Sequence, residues 1–447
     1  MRQLFTALII ALAAATGANA TDSVAWRAQQ QRAADKSERI LRQVEKARGL
    51  LAQYVLMRSA WVADESKAFR LIFGQYVSWH ESYLGLHDEA VQSFSIQQTA
   101  DPQDAPSPLD GTHEAKPALD AIPELAKGRQ AIFFNEAHNA AITRTLTVAL
   151  LERLRQEGFE YFAAETLYET DIEALAKRGY PIDESGFYTQ EPIYAEMVRT
   201  ALKLGYKVVA YEAVSDATGD AREREQAKNL QDRVFKHDPK ARLVVNAGYA
   251  HIVESGKYLG GASMAQHFHK MTGIDPLTIE QTMLIPHPKA EQDHPYYRDA
   301  VAKLAPKGPV VFIDKDGAPW SLRPGGYDVS VMLPPYTRSN ARQSWLDIDG
   351  LRTTYGVDGE ICRNVMPCML EARYAGEGDE AIPADRAVLG MVDSRSSNTE
   401  QKFRTSQQLR TDMYLRPGRY RLRATGPDNA VIATQNITVA PPREKNR

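Results

Sequence analysis

Cysteine is scarce in this chain, since only Cys362 and Cys368 occur among 447 residues. The two lie close together and late in the chain, and neither is placed like a zinc ligand or a catalytic nucleophile. In an oxidising compartment the simplest interpretation is a local disulfide, and two unpaired thiols are the alternative.

An excess of charge of one sign is also lacking. The chain has 54 Lys and Arg residues against 57 Asp and Glu residues, for a formal net charge of −3. Partners such as nucleic acid or an anionic membrane surface are attracted by a basic protein surface. We therefore expect neither to be the main partner.

Long hydrophobic runs are absent as well. The apolar run 4–15 follows Arg2 and is shorter than the roughly 18 residues that span a bilayer. It leads to Ala18-Asn19-Ala20, which is the small-residue ending of a secretory signal peptide. We expect cleavage after Ala20, a periplasmic or secreted protein, and no integral membrane segment.

Several catalytic motifs do not occur. The sequence has no G-x-S-x-G nucleophile elbow, no H-E-x-x-H zinc motif, no P-loop, and no G-x-G-x-x-G after a predicted strand. Serine hydrolases, zincins, NTPases and Rossmann oxidoreductases are each disfavoured.

Changes in pattern divide the chain after the signal peptide at 1–20. Apolar residues recur at helical spacing in two sets within residues 21–98, which predicts a helical hairpin. Residues 99–118 are rich in Asp, Pro, Ser and Gly without periodicity, which predicts a linker or surface loop. Residues 119–335 are the predicted core, and residues 336–447 are a predicted β-rich domain.

The β-rich prediction depends on an alternating pattern near the C-terminus. Arg419, Arg421 and Arg423 alternate with apolar or aromatic residues. The turn sequence 426–429 follows, and residues 430–439 are predicted as the partner strand. This order is typical of a β-hairpin.

The core alternates short apolar runs with amphipathic helical segments. The predicted strands are 131–134, 159–164, 207–211, 243–246 and 310–313. The helical stripes are Ile142, Leu146, Leu150 and Leu154, and then Ala227, Leu230 and Val234. Continuous apolar strands separated by helices predict an α/β fold with a mostly parallel sheet flanked by helices.

Ionisable side chains follow four of these strands. Glu136 and His138 come after the first strand, Glu165 after the second, Glu212 after the third and His251 after the fourth. Ligands of open parallel sheets bind beyond the carboxyl ends of the strands. A core built only for stability would avoid such charges, because burying an unpaired charge is costly. The sequence therefore predicts one polar cleft.

The residue types in this cleft are suited to hydrolysis. His138 and His251 can bind a divalent metal ion or accept a proton, and Glu136 and Glu165 can complete a metal site or act as acid and base. A metal held by His138, Glu165 and His251 would activate water. In the alternative interpretation the histidines hydrogen-bond their loops and the glutamates pair with arginines. The sequence leaves open whether a metal is required.

Arg222 begins the helix that follows the third strand. It could reach the cleft, where it would hold an anionic group or orient Glu212. The alternative is a solvated arginine at the start of a helix. Tyr249, close to His251, could donate to a substrate oxygen or could simply pack as an aromatic residue.

Four segments, AIFFNEAHN, EGFEYFAAET, REREQAKNL and LVVNAGYAHIVE, resemble the superfamily of erythromycin esterase-like proteins, ChaN-like haem-binding lipoproteins and TraB/Tiki proteins. The family has a strand ending in G-E-x-H or G-x-x-H, a later strand ending in Glu, and another ending in G-x-G-H or G-x-x-H. Glu136 and His138 match the first motif, Glu165 matches the second, and Gly248 with His251 matches the third.

Two further positions bear on the resemblance. Arg222 and Asn229 match the helix start R-D-x-x-M-A-x-N of the esterase-like branch. Asn135 stands where the family has Gly, and asparagine tolerates left-handed backbone angles better than most residues, so the turn can survive.

The resemblance covers residues 121–253. It implies a function among those of this superfamily, which include hydrolysis, metal-dependent peptide cleavage and haem binding. Our first hypothesis is an exported hydrolase of a small-molecule or peptide substrate, with water activated by the His/Glu cluster, with or without a divalent metal. The alternatives are a haem- or metal-binding periplasmic protein and a non-catalytic adaptor. The sequence leaves the substrate and the oligomeric state open.

Overall fold

The computed structural model describes residues 20–95, 100–391 and 409–441. The predicted signal peptide lies outside these residues, apart from Ala20. Within the described ranges, no helix combines the length and the apolar character that a membrane crossing needs.

The chain divides into two compact units. The first contains residues 100–190 and 194–336, and the second contains residues 20–95, 191–193, 337–391 and 409–441. The N-terminal helices and the C-terminal strands, which are predicted from the sequence as separate regions, therefore belong to the same unit.

Both units combine helices and strands. The helices are α1 (Ala20–Val44), α2 (Leu50–Ala63), α3 (Lys67–Tyr83), α4 (His87–Ser93), α5 (Ala118–Leu125), α6 (Ile142–Gln156), α7 (Ile172–Arg178), α8 (Pro192–Lys203), α9 (Asp220–Leu230), α10 (Met264–Thr272) and α11 (Pro295–Leu304). The strands are β1 (His113–Pro117), β2 (Ala131–Glu136), β3 (Tyr161–Ala164), β4 (Lys207–Val209), β5 (Leu243–Gly248), β6 (Leu277–Leu284), β7 (Val310–Asp314), β8 (Val329–Met332), β9 (Arg338–Ser339), β10 (Arg342–Gln343), β11 (Thr353–Asp358), β12 (Cys368–Tyr374), β13 (Asp385–Leu389), β14 (Arg410–Leu415), β15 (Gly418–Thr425) and β16 (Val431–Val439).

The first unit is built on an eight-stranded sheet in the order β1-β7-β8-β6-β2-β5-β3-β4. Strands β8, β6, β2, β5, β3 and β4 run parallel, and β7 is antiparallel to its neighbours β8 and β1. The apolar stripes of α6 and α9 are buried. The predicted α/β fold, with a mostly parallel sheet flanked by helices, is confirmed.

Three strands of this sheet are not predicted from the sequence. Strand β1 falls at the end of the segment predicted as a linker or loop, and four of its five residues are exposed, so it has no apolar alternation. Strand β6 is buried along its length but contains Thr, Glu and Gln at its centre. Strand β8 is a buried strand of four residues, which is too short for a clear periodicity.

In the second unit, a four-stranded antiparallel sheet has the order β13-β12-β15-β16, and two strand pairs, β11-β14 and β9-β10, accompany it. The predicted C-terminal hairpin is β15-β16. The predicted helical hairpin is instead a group of helices, α1 to α4. Arg342 Nη1 donates to the Gly85 carbonyl at 3.1 Å, which ties the strand region to the end of α3.

The predicted disulfide between Cys362 and Cys368 is confirmed. Both cysteines are buried in the apolar core of the second unit. An intramolecular disulfide is compatible with a protein that resides outside the cytoplasm.

Candidate functional site

The predicted site residues lie in one connected cluster at the carboxyl edge of the sheet. Strand β2 ends at Glu136, opposite Gly248 at the end of the neighbouring strand β5, and Glu165 follows β3 on the other side of β5. The two histidines both approach this central glutamate: His138 Nε2 lies 3.9 Å and His251 Nε2 lies 3.4 Å from a Glu165 carboxylate oxygen.

A buried glutamate fixes the orientation of His138. Nδ1 of His138 lies 2.6 Å from Glu136 Oε1, and Arg144 Nη2 lies 2.7 Å from the other oxygen of the same carboxylate. Glu136 and Arg144 are fully buried. Since a carboxylate can only accept, Nδ1 of His138 carries the proton of this hydrogen bond. Nε2 is therefore the ring nitrogen that faces Glu165.

A second glutamate holds His251 in the same way. Nδ1 of His251 lies 2.7 Å from Glu223 Oε2, and this oxygen also accepts from the backbone N–H of Met264 at 2.9 Å. Burial by itself lowers the pKa of His251, but the carboxylates of Glu223 and Glu165 outweigh burial and raise it to about 10. His251 is therefore an imidazolium at neutral pH.

Arg222 lies at the centre of the cluster. Its Nε and Nη2 donate to the two oxygens of Glu212 at 3.0 and 2.8 Å, and Nη2 also donates to Glu165 at 3.1 Å. Burial favours the neutral forms, yet the opposite charges hold the pKa of Arg222 well above its usual range and the pKa of Glu165 well below its own. Both groups are charged. The predicted contact of Arg222 with Glu212 is present, and the solvated alternative is wrong.

The donor set does not fit the predicted divalent metal. In the described part of the chain, no group of three or more His, Cys, Asp or Glu residues is arranged to hold a metal ion. Two of the predicted ligands, Glu165 and His251, instead contact a guanidinium: Nη2 of Arg222 donates to Glu165, and its Nη1 lies 3.4 Å from His251 Nε2. The third, His138, lies 3.9 Å from Glu165 through Nε2. A metal ion would have to displace a cation that Glu212 holds with two hydrogen bonds.

Gly248 allows the side chains of His138 and Glu165 to approach the backbone of β5. Its N–H donates to Glu165 Oε2 at 2.5 Å. A Cβ atom at this position would lie 2.2 Å from His138 Cε1, far inside van der Waals contact. The glycine of the G-x-x-H motif is therefore needed here for close approach of side chains to the backbone.

Asn135 has a different role from the one expected. It lies within β2, so no left-handed backbone angle is required of it. Its Nδ2 donates to the Tyr249 carbonyl at 3.0 Å, and its Oδ1 accepts from the Gln281 N–H at 2.8 Å. Asn135 thus ties the loop that carries His251 to strand β6.

Sequence reasoning did not identify Arg144, Glu223 or Tyr188 as site residues. Arg144 lies within α6, and no pattern distinguishes it from an exposed helix residue. Glu223 directly follows Arg222, and this position beside a predicted site arginine is the one signal in the sequence; its burial is seen only in the structure. Tyr188 stacks on His138 with ring centroids 4.1 Å apart, and it lies in an aperiodic stretch of short turns. Tyr249 donates its hydroxyl proton to Asn139 Oδ1 at 2.9 Å.

No protein-family model and no curated protein matches this chain. Among solved structures, it is similar to the type III effector HopBA1, with 12% identity, coverage of 42% of this chain and 96% of that one, and a TM-score of 0.28. It is also similar to RRSP, a MARTX toxin effector domain from Vibrio vulnificus CMCP6, with 12% identity, coverage of 51% of each chain and a TM-score of 0.29. A structure described as bacterial protein toxins has 16% identity, coverage of 51% of this chain and 52% of that one, and a TM-score of 0.30. TM-scores this low carry no argument about function.

Proposed function

We propose that the protein is an exported hydrolase of the erythromycin esterase-like, ChaN-like and Tiki type, in which His138 activates the attacking water. The observation that carries this proposal is the contact between His138 Nδ1 and Glu136 at 2.6 Å. A carboxylate on one ring nitrogen fixes the tautomer and leaves the other nitrogen to accept a proton. Nε2 of His138 is oriented into the charged cluster, where a substrate carbonyl would meet it.

The positive groups of the cluster supply the second requirement of hydrolysis. As the water attacks, its proton passes to His138 Nε2 and negative charge develops on the substrate oxygen. Preorganised cations close to that oxygen stabilise the transition state more than the ground state. Arg222 and the His251 imidazolium are suited to this role, and their carboxylate partners keep them in place. His138 then returns the proton to the leaving group.

Access to the cluster is from the side of Arg222 and Glu212, whose side chains are each 12% exposed, whereas His138 is 6% exposed. A small ester or the carbonyl of a short peptide is the class of substrate that we propose. Export is supported by the signal-peptide pattern at 1–20 and by the Cys362–Cys368 disulfide. We propose a periplasmic or secreted location.

The test is hydrolysis of a panel of p-nitrophenyl esters and fluorogenic peptides by the mature protein. On a substrate that the wild type turns over, His138→Ala is expected to lower kcat by a factor of about 100 to 10,000, as loss of a general base does. The control is His269→Ala, because His269 is an exposed histidine of the same unit. Near-wild-type turnover of the His138 variant would reject the proposed role.

A second variant separates chemistry from folding. Glu136→Gln is expected to lower kcat as well, but it leaves the buried Arg144 without its carboxylate and should also lower the melting temperature. His138→Ala removes one hydrogen bond of Glu136 but leaves its ion pair with Arg144, so it should lower the melting temperature less than Glu136→Gln does. Unfolding of both variants would favour a structural polar cluster, and a Soret band in the purified protein would favour the haem-binding alternative.

A further inference from the structure

An aromatic ring covers one face of His138. The rings of Tyr188 and His138 are nearly parallel, with an interplanar angle of 24° and centroids 4.1 Å apart. The ring of Tyr249 meets the same imidazole edge-on at 5.0 Å. Tyr188 is itself buried. The imidazole thus contacts two rings, and the contacts restrict its rotation about the bond to Cβ.

Thr166 holds the backbone of Tyr188 in place. Its Oγ1 accepts from the Tyr188 N–H at 3.2 Å, and its carbonyl accepts from the Phe187 N–H at 3.3 Å. Thr166 has a φ of 64°, a left-handed conformation that is rare and strained for a β-branched residue. Such a conformation persists only where the surrounding structure imposes it. Thr166 directly follows Glu165. The same turn therefore positions both the carboxylate of Glu165 and the Thr166 oxygens that accept from the segment of Tyr188.

Gly186 brings this segment close to Thr166. A Cβ atom at residue 186 would lie 2.6 Å from the Thr166 carbonyl oxygen, so only glycine allows this approach without a shift. On the other side of Gly186, Ser185 Oγ donates to Asp171 at 2.5 Å, and Arg178 Nη2 donates to the same oxygen at 2.7 Å. The turn that presents Tyr188 is therefore fixed on both sides.

We propose that Tyr188 is a positioning residue for His138: it holds the imidazole plane so that Nδ1 stays on Glu136 while Nε2 faces Glu165. Stacking of two rings adds an attraction beyond the area that it buries. The hydrogen bond to Glu136 fixes only one point of the imidazole, and the stacked ring fixes its plane. The effect of Tyr188 on the orientation of the His138 ring does not depend on the proposed hydrolysis. Only the expected effect of Tyr188 on the reaction rate rests on the proposed function.

The test compares Tyr188→Phe, which keeps the ring, with Tyr188→Leu, which removes the stack. The readout is the NMR signal of the His138 Nδ1 proton, assigned by its absence in His138→Gln. We expect the wild type and Tyr188→Phe to show the same slowly exchanging proton. In Tyr188→Leu that proton should exchange with water measurably faster. Unchanged exchange in a folded Tyr188→Leu protein would overturn the proposal.

Thr166→Gly is the second variant, and it guards against misfolding of Tyr188→Leu. Glycine adopts a φ of 64° without strain, so the turn is kept while the acceptor for the Tyr188 N–H is lost. Faster exchange of the His138 Nδ1 proton is again expected, and its absence in both variants would reject the positioning role.

Kinetics distinguish this proposal from the proposed function. On an active substrate, Tyr188→Leu should lower kcat by about tenfold or more with little change in KM, because misplacement of a reacting group acts on the chemical step. Tyr188→Phe should restore most of kcat. If the NMR change occurs but the wild type hydrolyses nothing, Tyr188 positions His138 and the hydrolase proposal fails. If the wild type is active and Tyr188→Leu retains full kcat, the positioning role in catalysis is wrong.

Discussion

Gly248 and Glu165 meet across two neighbouring strands: the backbone N–H of Gly248 donates to Glu165 Oε2 at 2.5 Å. A Cβ atom on residue 248 would lie 2.8 Å from that oxygen and 2.2 Å from His138 Cε1. The contact therefore joins the central carboxylate to strand β5 at a point where only glycine leaves room for the imidazole of His138.

Gly248→Ala should disrupt the cluster while it leaves most of the fold intact. The added methyl must push His138 away from Glu165, and forcing extra atoms into a packed site costs about 1–3 kcal/mol. We expect a lower melting temperature and loss of any hydrolytic activity. The matched control is Gly376→Ala, where a Cβ would meet nothing within 4 Å. Equal behaviour of the two variants would contradict this account of the site.

The raised pKa of His251 makes stability depend on pH. The ordinary pKa of histidine is about 6.5, and in the folded protein Glu223 and Glu165 raise that of His251 to about 10. The stabilisation is therefore complete below about pH 6.5 and declines as pH rises towards about 10. NMR titration of the His251 ring should find a midpoint well above that of an ordinary histidine.

Glu223→Gln should lower the pKa of His251 and make stability less dependent on pH in the alkaline range. Its free energy of unfolding should fall most, relative to wild type, near neutral pH, where the wild-type ion pair is intact. The control is Glu152→Gln, since Glu152 is exposed in α6. A wild-type His251 that titrates near pH 6.5 would show that the ion pairs are absent in solution.

The sequence predicts strands β2, β3 and β5 of the parallel core well because they are buried and mostly apolar. Strands β2, β3 and β5 are fully buried, so their runs stand out from the helices between them. Strand β1 is an exposed edge and β6 carries buried polar residues, so neither shows the expected pattern. The hydrophobic pattern of a sequence indicates which residues are buried. It does not reveal a strand that is exposed, or a buried strand whose polar groups are paired inside the protein.

The candidate site follows the same logic. Residues at strand ends could be identified because topology brings strand ends together, and Glu136, His138, Glu165 and His251 all lie there. Partners within helices or irregular turns, such as Arg144 and Tyr188, could not, because their contacts depend on how those segments pack. The sequence leaves the metal open for a related reason: it places Arg222 near the cleft, but it cannot show that the guanidinium contacts Glu165 and His251, two of the candidate ligands.

Export and disulfide formation can be checked by the intact mass of the secreted protein. We expect the mass of residues 21–447, with two alkylated cysteines appearing only after reduction. Cys362 and Cys368 close a short loop, so the disulfide should stabilise the second unit by about 2 kcal/mol. Cys362→Ser with Cys368→Ser should lower the melting temperature accordingly. Alkylation of the unreduced sample would disprove the bond.

Replacement of Arg222 tests the charge balance of the whole cluster. Arg222→Met leaves the carboxylates of Glu212 and Glu165 without their shared cation, and breaking a buried ion pair costs about 3–5 kcal/mol. The double variant Arg222→Met with Glu212→Gln should recover part of this loss. Arg153→Met is the control, because its ion pair with Asp120 is exposed and should contribute at most about 1 kcal/mol.

The same variant distinguishes a guanidinium from a metal ion as the resident cation. Because Arg222 already bonds Glu165 next to His251, dialysis of the wild type against EDTA should change neither its melting temperature nor its activity. In Arg222→Met, the carboxylate of Glu165 and Nε2 of His251 lose that competitor. Together with Nε2 of His138 they are ligand types that zinc prefers, and zinc binding would displace the Nε2 proton of His251. Calorimetric titration with Zn²⁺ should therefore detect binding to Arg222→Met but not to the wild type. Stoichiometric Zn²⁺ in the wild-type protein, together with loss of activity on its removal, would restore the metal-dependent mechanism.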